Sequence, residues 1–429
     1  MCNVSMCRMP APVARRTLAS TFDPHANSLN VFRLVFAAAV LVSHSTAIAG
    51  VEQELELGGM TLGRWGVLGF FTVSGYLISR SGDTMHSLTD FAEARAARIF
   101  PGLIVNLLVT AFVFAPFSTR LERGSQWDPV SAVQYVFHNA LLYPPGLLRE
   151  GIDTTLVGVH YTGVWNGSLW TLFWEGFFYV GVAVGILVSP VTARRTLSIA
   201  VAVCLTFAAL PSTFGFVDYP GVLGPALEVG VAFAAGAVAY YWRASIRIST
   251  ATVLVLLVIV AASIMTQTSA IIAPLPIVIL LLPLSSLTPL HAVGSRVDAS
   301  YGVYIYAWPL QQLTTLALGP ATPLAVLLSV QVLLTLAAGC LSGALIERPA
   351  QNWAKQRRHR RSGDKDHRAA AMTDPRSAKQ AVRDARLPAT TCSNGCPPAP
   401  PAIREEHSND PDRARPLHRR SQQPPAHRR

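Results

Sequence analysis

Ten apolar stretches run through this chain, at about residues 30–49, 66–80, 101–117, 168–189, 197–217, 221–241, 250–267, 270–287, 300–318 and 324–346. Most are long enough to cross the ~30 Å hydrocarbon core of a bilayer. In lipid every backbone amide needs a partner within its own segment, which leaves the helix as the spanning element for such stretches. The expected fold is therefore all-α: a polytopic transmembrane helix bundle of about ten spans. The second stretch is short and Gly-rich. Pro274, Pro276 and Pro283 leave residues 270–287 open to a broken span or a re-entrant turn. Composition agrees, since 51% hydrophobic against 14% charged residues leave too little polar material to cover a soluble protein of 429 residues.

The formal charge of +11 suggests nucleic acid only until it is located. Residues 355–429 hold 18 Lys+Arg and 8 Asp+Glu, whereas the residues before them carry 17 Arg and 16 acids. No nucleic-acid partner is expected. The basic C-terminal part is rich in Arg, Pro, Ser and Ala and has too little apolar surface to fold. It divides the chain into a cytoplasmic N-terminal segment (1–28), a transmembrane domain (29–353) and a disordered cytoplasmic tail (354–429). Arg357, Arg358, Arg360 and Arg361 in the tail are candidates for contact with anionic membrane lipid or for a topology signal.

Arginine also sets the expected orientation. With Arg8, Arg15 and Arg16 cytoplasmic, the inner loops collect Arg80, Arg95, Arg98, Arg194, Arg195, Arg243, Arg247 and Arg296, and the outer loops only Arg64, Arg120, Arg123 and Arg149. Both termini then face the cytoplasm. Residues 1–28 lack the continuous apolar core of a cleavable signal, so the first apolar segment acts as the insertion signal. Cys2, Cys7, Cys204, Cys340, Cys392 and Cys396 show no metal or redox spacing, and no metal is expected. The long external segment 118–167 reads as a lid, an acceptor groove or a linker.

Three formal charges, Arg33, Glu175 and Glu228, fall within the apolar stretches, and His44 joins them as an ionisable group. Charges at this depth are functional candidates, with structural pairing as the competitor. Arg33 and His44 are eleven residues apart, which returns a helix to within about 20° of the same face and separates them by roughly 16 Å along the axis. Glu175 is expected at a depth similar to that of His44, where a carboxylate would fix the imidazole tautomer for general-base work. Glu228 sits in no motif.

The motifs together resemble the membrane-bound acyltransferase 3 family of sugar O-acyltransferases. Arg33 to His44 in FRLVFAAAVLVSH is similar to that family's Arg, ten residues, His signature, and GVLGFFTVSGYLI (66–78) to its Gly-rich second span. RAARIFP (95–101), WTLFWEGFFY (170–179), SYGVYIYAWPLQQL (300–313) and ERP (347–349) resemble its later elements. Thr171 stands where the family often has Ser, and Ala307 where many members carry His.

The resemblance implies an integral membrane enzyme of the bacterial inner membrane. Its co-substrate would be acyl-CoA, most often acetyl-CoA, on the cytoplasmic side, with no bound cofactor. The acceptor would be a hydroxyl of an extracytoplasmic glycan or glycolipid. His44 would act as general base with Glu175 beside it, and Arg33, Arg95 and Arg98 would hold the donor phosphates. Ser74, Ser168, Thr171 and Tyr301 are candidate oxyanion or acceptor contacts. An exporter or flippase of a glycan or lipid-linked sugar is the alternative from a different class, since it too needs polar residues inside a bundle.

Overall fold

The computed structural model describes residues 16–51, 54–85, 87–294 and 298–373. Arg8, Arg15, Arg296 and the cysteines at 2, 7, 392 and 396 lie outside them. One compact unit reaches Lys365; of the second unit, which begins at Asp366, the described part is helix up to Thr373.

A short helix α1 (Leu18–Thr21) precedes α2 (Leu29–Ile48), and a two-stranded hairpin, β1 (Glu56–Leu57) and β2 (Met60–Thr61), leads into α3 (Leu62–Thr84). The hairpin is a small exception to an all-α reading. Its register pairs Glu56 with Thr61 and Leu57 with Met60, and its turn uses Gly58 and Gly59 at φ of 61° and 72°, the left-handed region that a two-residue hairpin turn needs. Helix α4 (Leu88–Val109) passes through a π turn (Thr110–Phe114) into α5 (Ala115–Leu121), and α6 (Pro129–Ala140) follows. Next come α7 (Trp170–Val188), α8 (Val191–Thr213), α9 (Leu223–Tyr241), α10 (Thr250–Met265), α11 (Ser269–Ile272) and α12 (Pro274–Leu287). The chain closes with α13 (Ser300–Leu318), α14 (Leu324–Ser342), a second π turn (Gly343–Glu347) and α15 (Arg348–Thr373).

Each of the ten apolar stretches lies on helix. Six helices among the described residues are long and apolar enough to cross a membrane, and α10 and α12 are shorter apolar helices. Helices α3 and α13 fall outside that group because they are interior elements. They carry Gly, Ser, Gln and Tyr that face other helices, not lipid. By contrast Phe177, Leu187, Phe207 and Val258, on α7, α8 and α10, are exposed on the outside.

Two local chemistries fix the interior. Helix α3 approaches α9 so closely that a Cβ at Gly75 would meet the Phe233 carbonyl and one at Gly236 the Thr72 carbonyl, which is why small residues stand at that crossing. In α13, Pro309 has no N–H to give the Ile305 carbonyl four residues earlier. That freed oxygen accepts instead from the side-chain amides of Asn166 (2.9 Å) and Asn106 (3.2 Å), tying α4 and the segment before α7 to the central helix.

One open reading is narrowed and one expectation changes. The segment 118–167 is packed onto the bundle: Asp128 caps α6, Ile152 and Leu156 are buried, and fully buried Trp165 donates to the Thr155 hydroxyl at 2.8 Å. The expected disordered tail starts as helix, because α15 continues to Thr373 and its arginines find acids on α4.

Candidate functional site

Helices α2, α4 and α13 all begin at the end of the bundle from which α15 leaves, here the tail end. Asp298, just before α13, sits there between two cations, 2.8 Å from Arg33 Nη1 and 2.9 Å from Arg98 Nη2. Arg98 also pairs at 3.5 Å with Glu347, which the π turn delivers into a niche beside Gly102 and Gly302. Burial alone would raise the Asp298 carboxyl, but Arg33, Arg98 and hydrogen bonds from Ser300 hold it well below the usual carboxylate range. Arg95, one turn from Arg98, has a different environment. It lies over the rings of Phe91 and Tyr179, makes no ion pair among the described residues, and its buried Nε lacks a hydrogen-bond partner.

Three cavities lie in series. The first, about 280 Å³ at the tail end, is lined by Arg33, Arg95, Arg98, Asp298 and Glu175. The middle one is narrow, about 50 Å³, and shares Arg33, Ser74, Arg98 and Glu175 with the first. It shares Val67 and Tyr304 with the third, again about 280 Å³, which holds His44 together with Ser43, Glu54, Glu228, Trp170 and Trp308. Arg33 thus stands where the first and middle cavities meet, and His44, farther along α2, lines the third.

His44 is held by its neighbours. Trp308 meets its ring edge-on at a centroid distance of 4.7 Å and is itself fixed by an indole N–H donated to the Val164 carbonyl at 3.2 Å. Beside His44, Gln311 of α13 donates to the Leu41 carbonyl and the Ser45 hydroxyl, both at 2.7 Å, which locks α2 against α13. The Nδ1 of His44 is buried and has no partner.

Glu175 is not brought to His44: no hydrogen bond or ion pair joins them. The Tyr179 hydroxyl donates to Glu175, which lines the tail-end and middle cavities. Depth explains the difference. Ser168 and Trp170 line the His44 cavity, whereas Thr171, Leu172 and Glu175 face the middle one, so Glu175 lies one to two turns below the imidazole.

The hydroxyl candidates also separate. Thr171 donates to the Ser168 carbonyl at 2.9 Å and shares a 2.7 Å hydrogen bond with Tyr304, whose hydroxyl also lies 3.5 Å from that carbonyl, so their protons are engaged with each other and with Ser168 O. Tyr301 donates to the Ile99 carbonyl at 2.8 Å beneath Arg98. The buried hydroxyl of Ser168 has no partner and lines the His44 cavity, which makes it a free donor there. Ser74 lines the first two cavities. Ala307 is buried in α13 and supplies no acid or base. Asp298, Glu347, Trp308 and Glu54 were not among the candidates from sequence. An acid directly before an apolar segment on the arginine-rich side was the available signal for Asp298. Glu228 pairs with Arg64 at 2.6 Å and lines the His44 cavity. No group of metal-ligating side chains occurs among the described residues.

A family model described as an acyltransferase domain matches residues 26–346, which include every element that lines the three cavities except α15. The chain belongs to the acyltransferase 3 family. It is a multi-pass membrane protein of that family. An O-acetyl transferase of Shigella phage Sf6 is 31% identical over 306 residues, covering 68% of this chain and 88% of the phage protein. Nodulation protein 10 of Rhizobium leguminosarum bv. viciae is 28% identical over 165 residues, 36% of this chain and 43% of that protein. No solved structure matches the chain.

Two outcomes follow from this geometry. Asp298→Asn leaves two partly buried guanidiniums short of a counter-charge and is expected to destabilise by roughly 1–3 kcal/mol near neutral pH. Because the native carboxyl titrates below the unfolded value of about 3.9, its contribution is whole above that value and lost as pH falls toward the native one. Thermal unfolding in detergent should show a gap between variant and parent that is constant from pH 7 to about 5 and narrows below about 4. A Cβ at Gly167 would stand 2.8 Å from the Trp308 ring, so Gly167→Ala should displace the indole that abuts His44. Turnover is expected to fall by about tenfold or more with donor affinity unchanged, measured by initial rates and direct binding.

Proposed function

We propose that this protein is an O-acetyltransferase of the bacterial inner membrane that moves an acyl group, chiefly acetyl, from cytoplasmic acyl-CoA to a hydroxyl of an extracytoplasmic or lipid-linked glycan. About ten crossings with both termini cytoplasmic would put the tail-end cavity inside and the His44 cavity outside. The observation that carries the reading is the series of cavities itself: an arginine-lined mouth, a narrow middle and a His-bearing chamber, sharing lining residues at each junction. The middle cavity is the smallest of the three, at about 50 Å³, which favours transfer of an acyl group over passage of a whole glycan. The name of the phage relative, an O-acetyl transferase, supports the same reaction.

The chemistry assigns one task to each end. Arg95, with no carboxylate partner, takes the donor phosphates, while Arg33 and Arg98 are held by Asp298 and contribute a positive wall. In the outer chamber the acceptor hydroxyl gives its proton to His44 as its oxygen attacks the thioester carbonyl. The Ser168 hydroxyl donates to the oxyanion. Collapse breaks the carbon–sulfur bond, and the departing thiolate of CoA recovers the proton from the imidazolium. Trp170, Trp308 and Tyr161 offer aromatic faces and Glu54 and Glu228 offer acceptors, a combination suited to the apolar faces and hydroxyls of a sugar.

Purified protein with labelled acetyl-CoA and glycan tests the assignment. Arg95→Ala is expected to weaken acetyl-CoA binding with transfer recoverable at high donor. His44→Ala should keep donor affinity and lose about 10² to 10⁴ in single-turnover transfer. Equal loss of donor affinity in both variants would refute the division, and movement of unmodified glycan without CoA would favour an exporter.

A further inference from the structure

The tail-end cavity has a wall that lies outside the matched acyltransferase domain. Helix α15 begins at Arg348, beyond the last matched residue, 346, and Gln351, Ala354 and Arg358 line the cavity. Their spacing of three and then four residues puts them on one stripe of the helix. The neighbouring stripe docks on α4: Arg357 pairs with Glu93 at 3.2 Å, and Arg361 with Glu93 at 3.1 Å and Asp90 at 3.8 Å. These pairs orient α15 so that the next residue round, Arg358, turns inward. Its hydrogen bond goes to a neutral group, the Asp90 carbonyl at 3.3 Å, and no carboxylate lies within ion-pair distance of it among the described residues. Arg358 thus resembles Arg95: a cation facing the cavity without a counter-charge. Four arginines (33, 95, 98 and 358) then face two carboxylates (Glu175 and Asp298) across the same space, an excess of positive charge suited to a polyanion.

We propose that Arg358 binds the phosphate-bearing end of the acyl-CoA donor, so that α15 forms part of the substrate site and not merely the start of a tail. The assignment rests on the reading of the tail-end cavity as the donor site. Docking through Arg357 and Arg361 fixes the helix, and Arg358 supplies the contact.

The test uses the full chain in neutral detergent, which removes anionic lipid as a competing source of phosphate, and two donors, acetyl-CoA and S-acetylpantetheine, which lacks the phosphates. Arg358→Ala should raise KM and Kd for acetyl-CoA by roughly tenfold with little change in kcat, and leave the kinetics with S-acetylpantetheine unaltered. Arg358→Lys should stay within about threefold of the parent, because the charge is retained. Unaltered rates with the truncated donor also establish that the variant is folded. Equal losses with both donors, or no loss with acetyl-CoA, would overturn the assignment while leaving the donor site intact. Failure of the parent chain itself to bind acetyl-CoA would overturn the donor reading and this assignment with it.

Discussion

A single carboxylate, Asp298, holds guanidiniums from α2 and α4 at the foot of α13, and Glu347 from the end of α14 holds the second of them from the other side. Four elements are thereby fixed at the tail end by charges largely withdrawn from water. Such a network is strongly directional: each cation is committed to a particular oxygen, and removal of one partner strands the others. Its consequence for the site is equally direct. Arg33 and Arg98 are engaged by carboxylates, whereas Arg95 and Arg358 line the same cavity with no carboxylate partner among the described residues.

The remaining polarity of the interior follows the same economy. Pro309 releases the Ile305 carbonyl, and two asparagines satisfy it; Gln311 bridges α13 to α2 beside His44; Trp308 is pinned by the loop that precedes α7. Several other buried polar atoms, the Tyr135 and Thr335 hydroxyls among them, have no partner, and three of the unpaired atoms line the cavities. His44 Nδ1, Ser168 Oγ and Arg95 Nε are buried and unpaired, one at the tail-end cavity and two around the His44 cavity. Buried polar atoms without partners are costly, and those three are open to a partner that enters the cavities.

Much of this was legible in the sequence. Stretch lengths located the helices, and the eleven-residue spacing correctly put Arg33 and His44 on one face of α2. What periodicity lacks is lateral information. Glu175 was expected beside His44 on depth alone, and a difference of one to two turns instead brings it to Tyr179 and the arginine end. Asp298 lies outside any apolar stretch, so a search for charges within spans passed over it. The π turn that aims Glu347 at Arg98 leaves no compositional mark. The helix in α15 arises from tertiary pairing with Asp90 and Glu93, since a sequence this polar has little apolar face to bury, and composition therefore read it as tail.

The proposed reaction requires transfer through the bundle, from the arginine-lined cavity at the tail end to the His44 cavity. Sealed vesicles of uniform orientation, with labelled acetyl-CoA confined to the tail side and glycan confined to the other, measure this directly. Label is expected on glycan across the membrane while no CoA accompanies it. Label appearing only on glycan supplied to the same side as acetyl-CoA would contradict it.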